Sequence, residues 1–194
     1  MEGVWGSNPH SSTVTEPTQE PSSTRRAAFG VLMDAETVCG IYEHLAERGV
    51  KIWIDGGWCV DALLGKQTRE HPDLDVAVDH KDEEEFTGHM RGLGYVKRRD
   101  GDDTAWHYVL TDGRGRGVDV HVFAYDEAGN HVYGIAYPYG SLTGQGTING
   151  HAVDCVAPEW MFAFKTAYPP QDKDREDVRA LGERFGFEIP PAYR

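Results

Sequence analysis

Residues 53–78 run from a short apolar stretch, Trp53-Ile54, into a double glycine, Gly56-Gly57, and end in a second apolar stretch headed by Asp73-Leu74-Asp75. Between them, Trp58 to Leu64 carry helical spacing, so the segment reads strand, tight turn, helix, strand. Side chains alternate across a strand, which puts Asp73 and Asp75 on one face about 7 Å apart, with Leu74 on the other. Two like charges so placed repel unless a cation lies between them. Hard divalent ions such as Mg2+ prefer oxygen ligands and are held by one or two carboxylates together with substrate phosphates. Gly56 and Gly57 complete the pattern. Lacking Cβ atoms, they let backbone N–H groups approach a triphosphate, and Gly57 would stand at a helix N-terminus, where anions are favoured.

Either half alone carries little information, since a double glycine is mostly a turn and an exposed Asp pair mostly solvated charge. Joined by a helix and flanked by strands, they point to a catalytic site. A chain of 194 residues, 39% of them hydrophobic, can bury one substantial core and a small second helical lobe. Its apolar runs are far too short to cross a membrane, and the N-terminus has no basic stretch followed by an apolar one, so a soluble cytoplasmic enzyme is expected. Cys39, Cys59 and Cys155 lack metal-binding or disulfide spacing and read as small core residues. The net charge of −13 opposes a long nucleic acid as partner, because phosphate neutralisation needs a basic surface. It suits a cationic small molecule, or else serves only solubility.

Residues 1–26, rich in Ser, Thr, Pro and Glu, read as a disordered tail. Apolar residues at helical spacing predict a helix over Val31 to Arg48 stopped by Gly49, then a strand over Lys51 to Ile54, a strand over Leu74 to Val78 and a helix over Asp82 to Leu93. Strand periodicity follows at Tyr95–Arg98, Ala105–Leu110 and Val118–Phe123, with 112–117 as a hairpin connection. From Tyr133 the glycine and aromatic density predicts a loop and then a hairpin turning at Asn149-Gly150. Pro158 starts a helix, and a second opens near Asp172 and closes at Gly186. The division expected is a catalytic domain over 27–156 and a C-terminal helical region over 157–194.

Gly56-Gly57-Trp58, Asp61, Leu64-Gly65, Arg69, His71 and Asp73-Leu74-Asp75 resemble the nucleotidyltransferases of the DNA polymerase beta superfamily. Within it they are similar to the lincosamide nucleotidyltransferases and the aminoglycoside 2''-adenylyltransferases. The resemblance covers about four fifths of the chain. It implies an α/β (α+β) fold, a mixed sheet backed by helices with a small C-terminal helical region. It also implies Mg2+ held by Asp73 and Asp75, a nucleoside triphosphate (ATP) as co-substrate, and Asp119 as third metal ligand or as the base that deprotonates an acceptor hydroxyl. Lys165 takes the place of a basic residue that reaches the triphosphate, and Lys173 follows it less closely. Gly56, Gly57 and Arg69 complete the expected phosphate contacts, Arg69 having a surface loop as its other reading.

His121 shares a strand face with Asp119 and either assists proton removal or supports Asp119 through a hydrogen bond. His71 is read as a supporting partner, Trp58 as core, and Asp61 as a helix cap or a local partner of Arg69. Trp106 and His107 receive no role. The expected activity is transfer of AMP to a hydroxyl of a small-molecule antibiotic, a lincosamide ahead of an aminoglycoside, with a homodimer left open. The alternatives are a toxin-type enzyme modifying protein or tRNA and a non-catalytic nucleotide-binding module, the latter opposed by the full carboxylate set.

Overall fold

In the computed structural model, which describes residues 31–98 and 103–194, Asp34 closes the first orphan turn of helix α1 (Ala35–Ala46) by accepting from the Thr37 N–H at 2.7 Å. The helix therefore begins four residues later than apolar spacing suggested. Met33 instead forms an antiparallel bridge with His71, and Val31 and Leu32 stay exposed. The tail over 1–26 lies outside the described residues. Val38, Cys39, Ile41 and Leu45 form the buried stripe of α1, and Gly49 takes the left-handed conformation just past its end.

Strand β1 (Ile52–Asp55) leads directly into α2 (Gly56–Leu64), and β2 (Asp73–Asp79) returns antiparallel to β1. A short 3-10 turn and α3 (Glu83–Gly92) follow, then β3 (Val96–Lys97), β4 (His107–Thr111), β5 (Gly117–Tyr125), β6 (His131–Gly134), β7 (Gly144–Ile148) and β8 (His151–Cys155). The strands make one mixed sheet in the order β3-β4-β5-β2-β1-β8-β7, with β6 pairing on β5. β2 is parallel to β5 and β1 to β8, whereas β4 and β5 form the antiparallel hairpin expected across 112–117. Asn149 and Gly150 both have positive φ in the β7–β8 turn, as an Asn-Gly hairpin requires. β6 falls where the sequence suggested loop. Its residues are exposed or only half-buried, so a period-2 burial signal is missing there.

Ile52, Ile54, Leu74, Val76, Val78, Val118, Val120 and Val122 are almost wholly buried, and strand alternation puts them on one face, beside which α1 and α3 pack. Each such side chain contributes roughly 1.5–3 kcal/mol by leaving water. The residues between them point the other way, and at one end of that face they are Asp75, Asp119 and His121, with Trp53 and Ala77 beside them. Pro158 opens α4 (Pro158–Thr166) at its first turn, and a capping box between Gln171 and Asp174 opens α5 (Asp172–Phe185). These two helices pack on each other and on α2, the helix that carries the double glycine. The three cysteines are buried and free, with the Cys59 thiol on the Val156 carbonyl and the Cys39 thiol on that of Ile148. Among the described residues no helix is long and apolar enough to cross a membrane.

Candidate functional site

The polar face of the sheet gathers its carboxylates by register. Asp55 on β1 stands opposite Asp75 on β2, and Asp75 stands beside Asp119 on β5. Adjacent strands are about 4.8 Å apart, so three carboxylates from three strands form a row. Asp73 lies two residues along, beside Gly117. Asp73 and Asp119 are buried and Asp75 half-buried. The structure thus brings together all three carboxylates expected from the sequence and adds a fourth. Such an oxygen-only donor set, concentrated where charges would otherwise repel, fits a hard divalent cation.

Asp55 is one of the residues that sequence reasoning missed. Its signal was available, since an Asp directly before a double glycine at a strand end is a natural N-cap. Its Oδ1 accepts from the Gly56 N–H at 2.7 Å and its Oδ2 accepts from the Tyr137 hydroxyl at 2.5 Å. His121 Nδ1 lies 3.0 Å from the same hydroxyl and 3.4 Å from Asp55 Oδ2. Because the Tyr137 proton is given to Asp55, its oxygen accepts from the His121 Nδ1–H, which leaves Nε2 facing Asp119 at 3.9 Å. Burial alone would disfavour the imidazolium. The hydrogen bond to Asp55 and the charges of Asp119, Asp55 and Asp75 outweigh it and push His121 up to about 9. Burial likewise raises the Asp55 carboxyl, but the His121 contacts prevail and hold it below its ordinary value. Tyr137 comes from the 133–143 segment, so that glycine-rich stretch reaches into the site through one phenol.

Gly56 adopts φ +60°, and a Cβ there would fall inside the Asp75 carboxylate. A Cβ on Gly57 would lie 2.6 Å from Arg69 Nη2 and 2.5 Å from His71 Nδ1. The double glycine is therefore required on both sides, by a metal-type carboxylate and by a basic pair. Arg69 sits beside the first turn of α2 while its Nε and Nη2 donate to Asp177 at 3.2 and 3.1 Å. Lys165 donates to the same carboxylate at 2.8 Å. The two basic side chains among the expected phosphate contacts, Arg69 and Lys165, thus share one anchoring anion on α5. Asp61 pairs with neither basic group: it lies 2.5 Å from His71 Nε2 and accepts from Thr68, which corrects the expected local pairing with Arg69. Arg69 Nη1 donates to His71 Nδ1 at 3.0 Å, so Nε2 carries the proton directed at Asp61. Trp58 is buried against the His71 ring, as its core reading implied.

His107, to which the sequence assigns no role, stands opposite His121 across β4 and β5 with Nε2 2.9 Å from Asp119 Oδ1. Its neighbour Trp106 is exposed. Only the pairing of the two strands could reveal His107, because nothing in its local sequence marks it.

A family model described as aminoglycoside-2''-adenylyltransferase matches residues 37–181. The chain is 24% identical over 157 residues to a lincosamide resistance protein of Staphylococcus haemolyticus, covering 74% of this chain and 89% of that one. Over 63 residues it is 41% identical to a 2''-aminoglycoside nucleotidyltransferase of Klebsiella pneumoniae, 31% of either chain. Its fold is similar to that of the lincosamide antibiotic adenylyltransferase LnuA with lincomycin bound, with a TM-score of 0.68, 20% identity, and coverage of 79% of this chain and 99% of that one. It is also similar to ANT(2'')-Ia in complex with adenylyl-2''-tobramycin, with a TM-score of 0.63, 26% identity, and coverage of 77% and 87%.

Proposed function

Because the chain belongs to the aminoglycoside-2''-adenylyltransferase family, we propose that it transfers AMP from ATP to a hydroxyl of a small-molecule antibiotic, a lincosamide ahead of an aminoglycoside. The row Asp55, Asp75, Asp119 beside Gly56 carries this reading. The preference for a lincosamide rests on coverage. Similarity to the lincosamide resistance protein extends along most of both chains, whereas the aminoglycoside relative matches over 63 residues.

In this reading Asp73, Asp75 and Asp119 hold Mg2+. When bound, the ion offsets charge on the phosphate oxygens around the α-phosphorus. Gly56 and Gly57 present the N-terminus of α2 to the triphosphate, with Arg69 alongside, held by the Asp177 carboxylate that Lys165 also pairs with. Asp119 accepts the proton of the acceptor hydroxyl as its oxygen attacks the α-phosphorus; the bond to the bridging oxygen breaks and pyrophosphate leaves. Asp55 orients His121 and Tyr137 around that carboxylate. A triphosphate donor implies work in the cytoplasm, and the net charge of −13 favours a cationic acceptor near the site.

The test is pyrophosphate release with Mg2+ and each of the four nucleoside triphosphates against lincomycin, clindamycin and aminoglycosides bearing a 2''-hydroxyl, with mass spectrometry of the products. Lincomycin or clindamycin gaining one AMP is the expected result. Nucleotide binding without transfer to any of them would turn attention to a protein or tRNA acceptor and would overturn the antibiotic reading.

Gly56→Ala tests the glycine half of the site separately. A left-handed conformation costs an alanine about 1–2 kcal/mol, and its methyl group displaces Asp75. Misplacing a catalytic group by an ångström can cost on the order of 10²-fold in rate. Turnover falling by that factor in a chain that still melts cooperatively is the expected outcome; unchanged turnover would remove the double glycine from the site.

A further inference from the structure

The mechanism leaves two imidazoles unexplained, and they flank the one carboxylate that it uses twice. His107, Asp119 and His121 present ligand atoms that all lie within 4.8 Å of one another. His107 Nε2 is 2.9 Å from Asp119 Oδ1, and His121 Nε2 is 3.9 Å from the same oxygen. The two rings meet edge to face at 4.9 Å across the β4–β5 ladder, on adjacent strands whose pairing fixes their separation. We propose that His107 Nε2, Asp119 Oδ1 and His121 Nε2 form a binding site for a borderline divalent transition ion, Zn2+ above all, which shares Asp119 with the all-oxygen set of Asp73, Asp75 and Asp119.

Donor chemistry separates the two sets. Imidazole suits Zn2+, Cu2+ and Ni2+, whereas carboxylate and water suit Mg2+. Two histidines and a carboxylate are a common three-ligand zinc set, with bonds near 2.0–2.2 Å.

The surroundings of His121 supply an independent observation. A histidine that ligates a metal through one nitrogen nearly always donates its other N–H to an oxygen, which fixes tautomer and ring orientation. His121 Nδ1 donates to the Tyr137 hydroxyl at 3.0 Å with the Asp55 carboxylate 3.4 Å away, and this holds Nε2 toward Asp119. The ring is therefore set from behind by a phenol and a carboxylate, as a metal-binding imidazole requires. Asp119 belongs to both sets, so zinc and the oxygen-bound ion compete for one carboxylate. That consequence rests on the transfer reading; the zinc site itself does not.

The experiment uses the full chain with neither nucleotide nor antibiotic present. Zn2+ is titrated by calorimetry, and Co2+ serves as a spectroscopic probe whose visible bands report nitrogen ligation. The expected result is one Co2+ per chain at this site with visible bands, displaced by Zn2+. In His107→Ala and His121→Asn, binding at that site weakens on the order of 10–100-fold or more, while circular dichroism shows an unchanged fold. His107→Ala is the safer variant because that side chain is only half-buried. Binding that survives both substitutions would overturn the proposal, as would Co2+ without nitrogen-ligated bands or no binding at all. Since no turnover is measured, failure of the transfer reading and failure of the zinc site remain separate outcomes.

Discussion

Asp119→Asn is expected to keep most of its ATP binding, because Asp73 and Asp75 together still hold the metal, and to transfer next to nothing. The amide keeps the size and shape of the carboxylate on β5 but cannot take a proton from the acceptor hydroxyl. Loss of a positioned general base costs on the order of 10²–10⁴-fold in rate, and loss of one metal-type carboxylate adds to that. The fold should survive, because Asp119 lies on the polar face of the sheet while Val118 and Val120 on either side supply the packing. Asp73→Asn should behave differently, weakening Mg2+–ATP binding itself. Equilibrium binding of a fluorescent ATP analogue, paired with single-turnover product formation, separates the two effects. An Asp119→Asn chain that keeps most of its turnover would show the base to be wrongly assigned.

The parts of the site legible in the sequence were those written locally. Asp73 and Asp75 share a face by strand alternation alone, and Gly56-Gly57 announces a tight strand-to-helix turn, so one short segment carries half the site. Asp119 became readable by adding the resemblance to the alternation of Val118, Val120 and Val122. What stayed hidden depends on pairings between distant segments. His107 joins Asp119 only because β4 folds back on β5, and Tyr137 reaches Asp55 across 82 positions of the chain. Asp55 was hidden for another reason: it ends an apolar strand and caps a helix, and as a single Asp it has no periodic partner. The elements tell the same story. The long, strongly patterned strands emerged near their true bounds, whereas β6, exposed along an edge, has no burial pattern to betray it. α1 was read too long because apolar spacing cannot say where a capping Asp34 will stop it.

Asp177→Asn should be strongly destabilising for so conservative a change. Asp177 is buried on α5 and receives both Arg69 from the approach to β2 and Lys165 from α4, with Asp174 3.8 Å from the same ammonium. Burial by itself would raise its carboxyl, yet the charge of Lys165 and the hydrogen bonds and charge of Arg69 overcome that and hold it below 3.8. An amide leaves two cations with reduced compensation in a site of low exposure. Breaking a buried ion pair by removing one partner costs about 3–5 kcal/mol, and chemical denaturation with a matched thermal melt should read a loss of that size. The sign of the pH dependence follows from the lowered carboxyl. Its contribution is fully present above the ordinary carboxylate value of 3.8 and is lost as pH falls through the folded value, where Asp177 takes up a proton. The unaltered chain should therefore lose stability on acidification below pH 3.8, and the variant should lack that part of the loss. A variant within about 1 kcal/mol of the unaltered chain would mean that Asp177 does not anchor the cluster. The functional consequence is positional, since Arg69 Nη2 lies where a Gly57 side chain would begin. Release of Asp177 frees that guanidinium beside the first turn of α2. Asp177→Asn should accordingly raise the KM for ATP more than it lowers kcat, a division that simple unfolding of part of the sample would not produce.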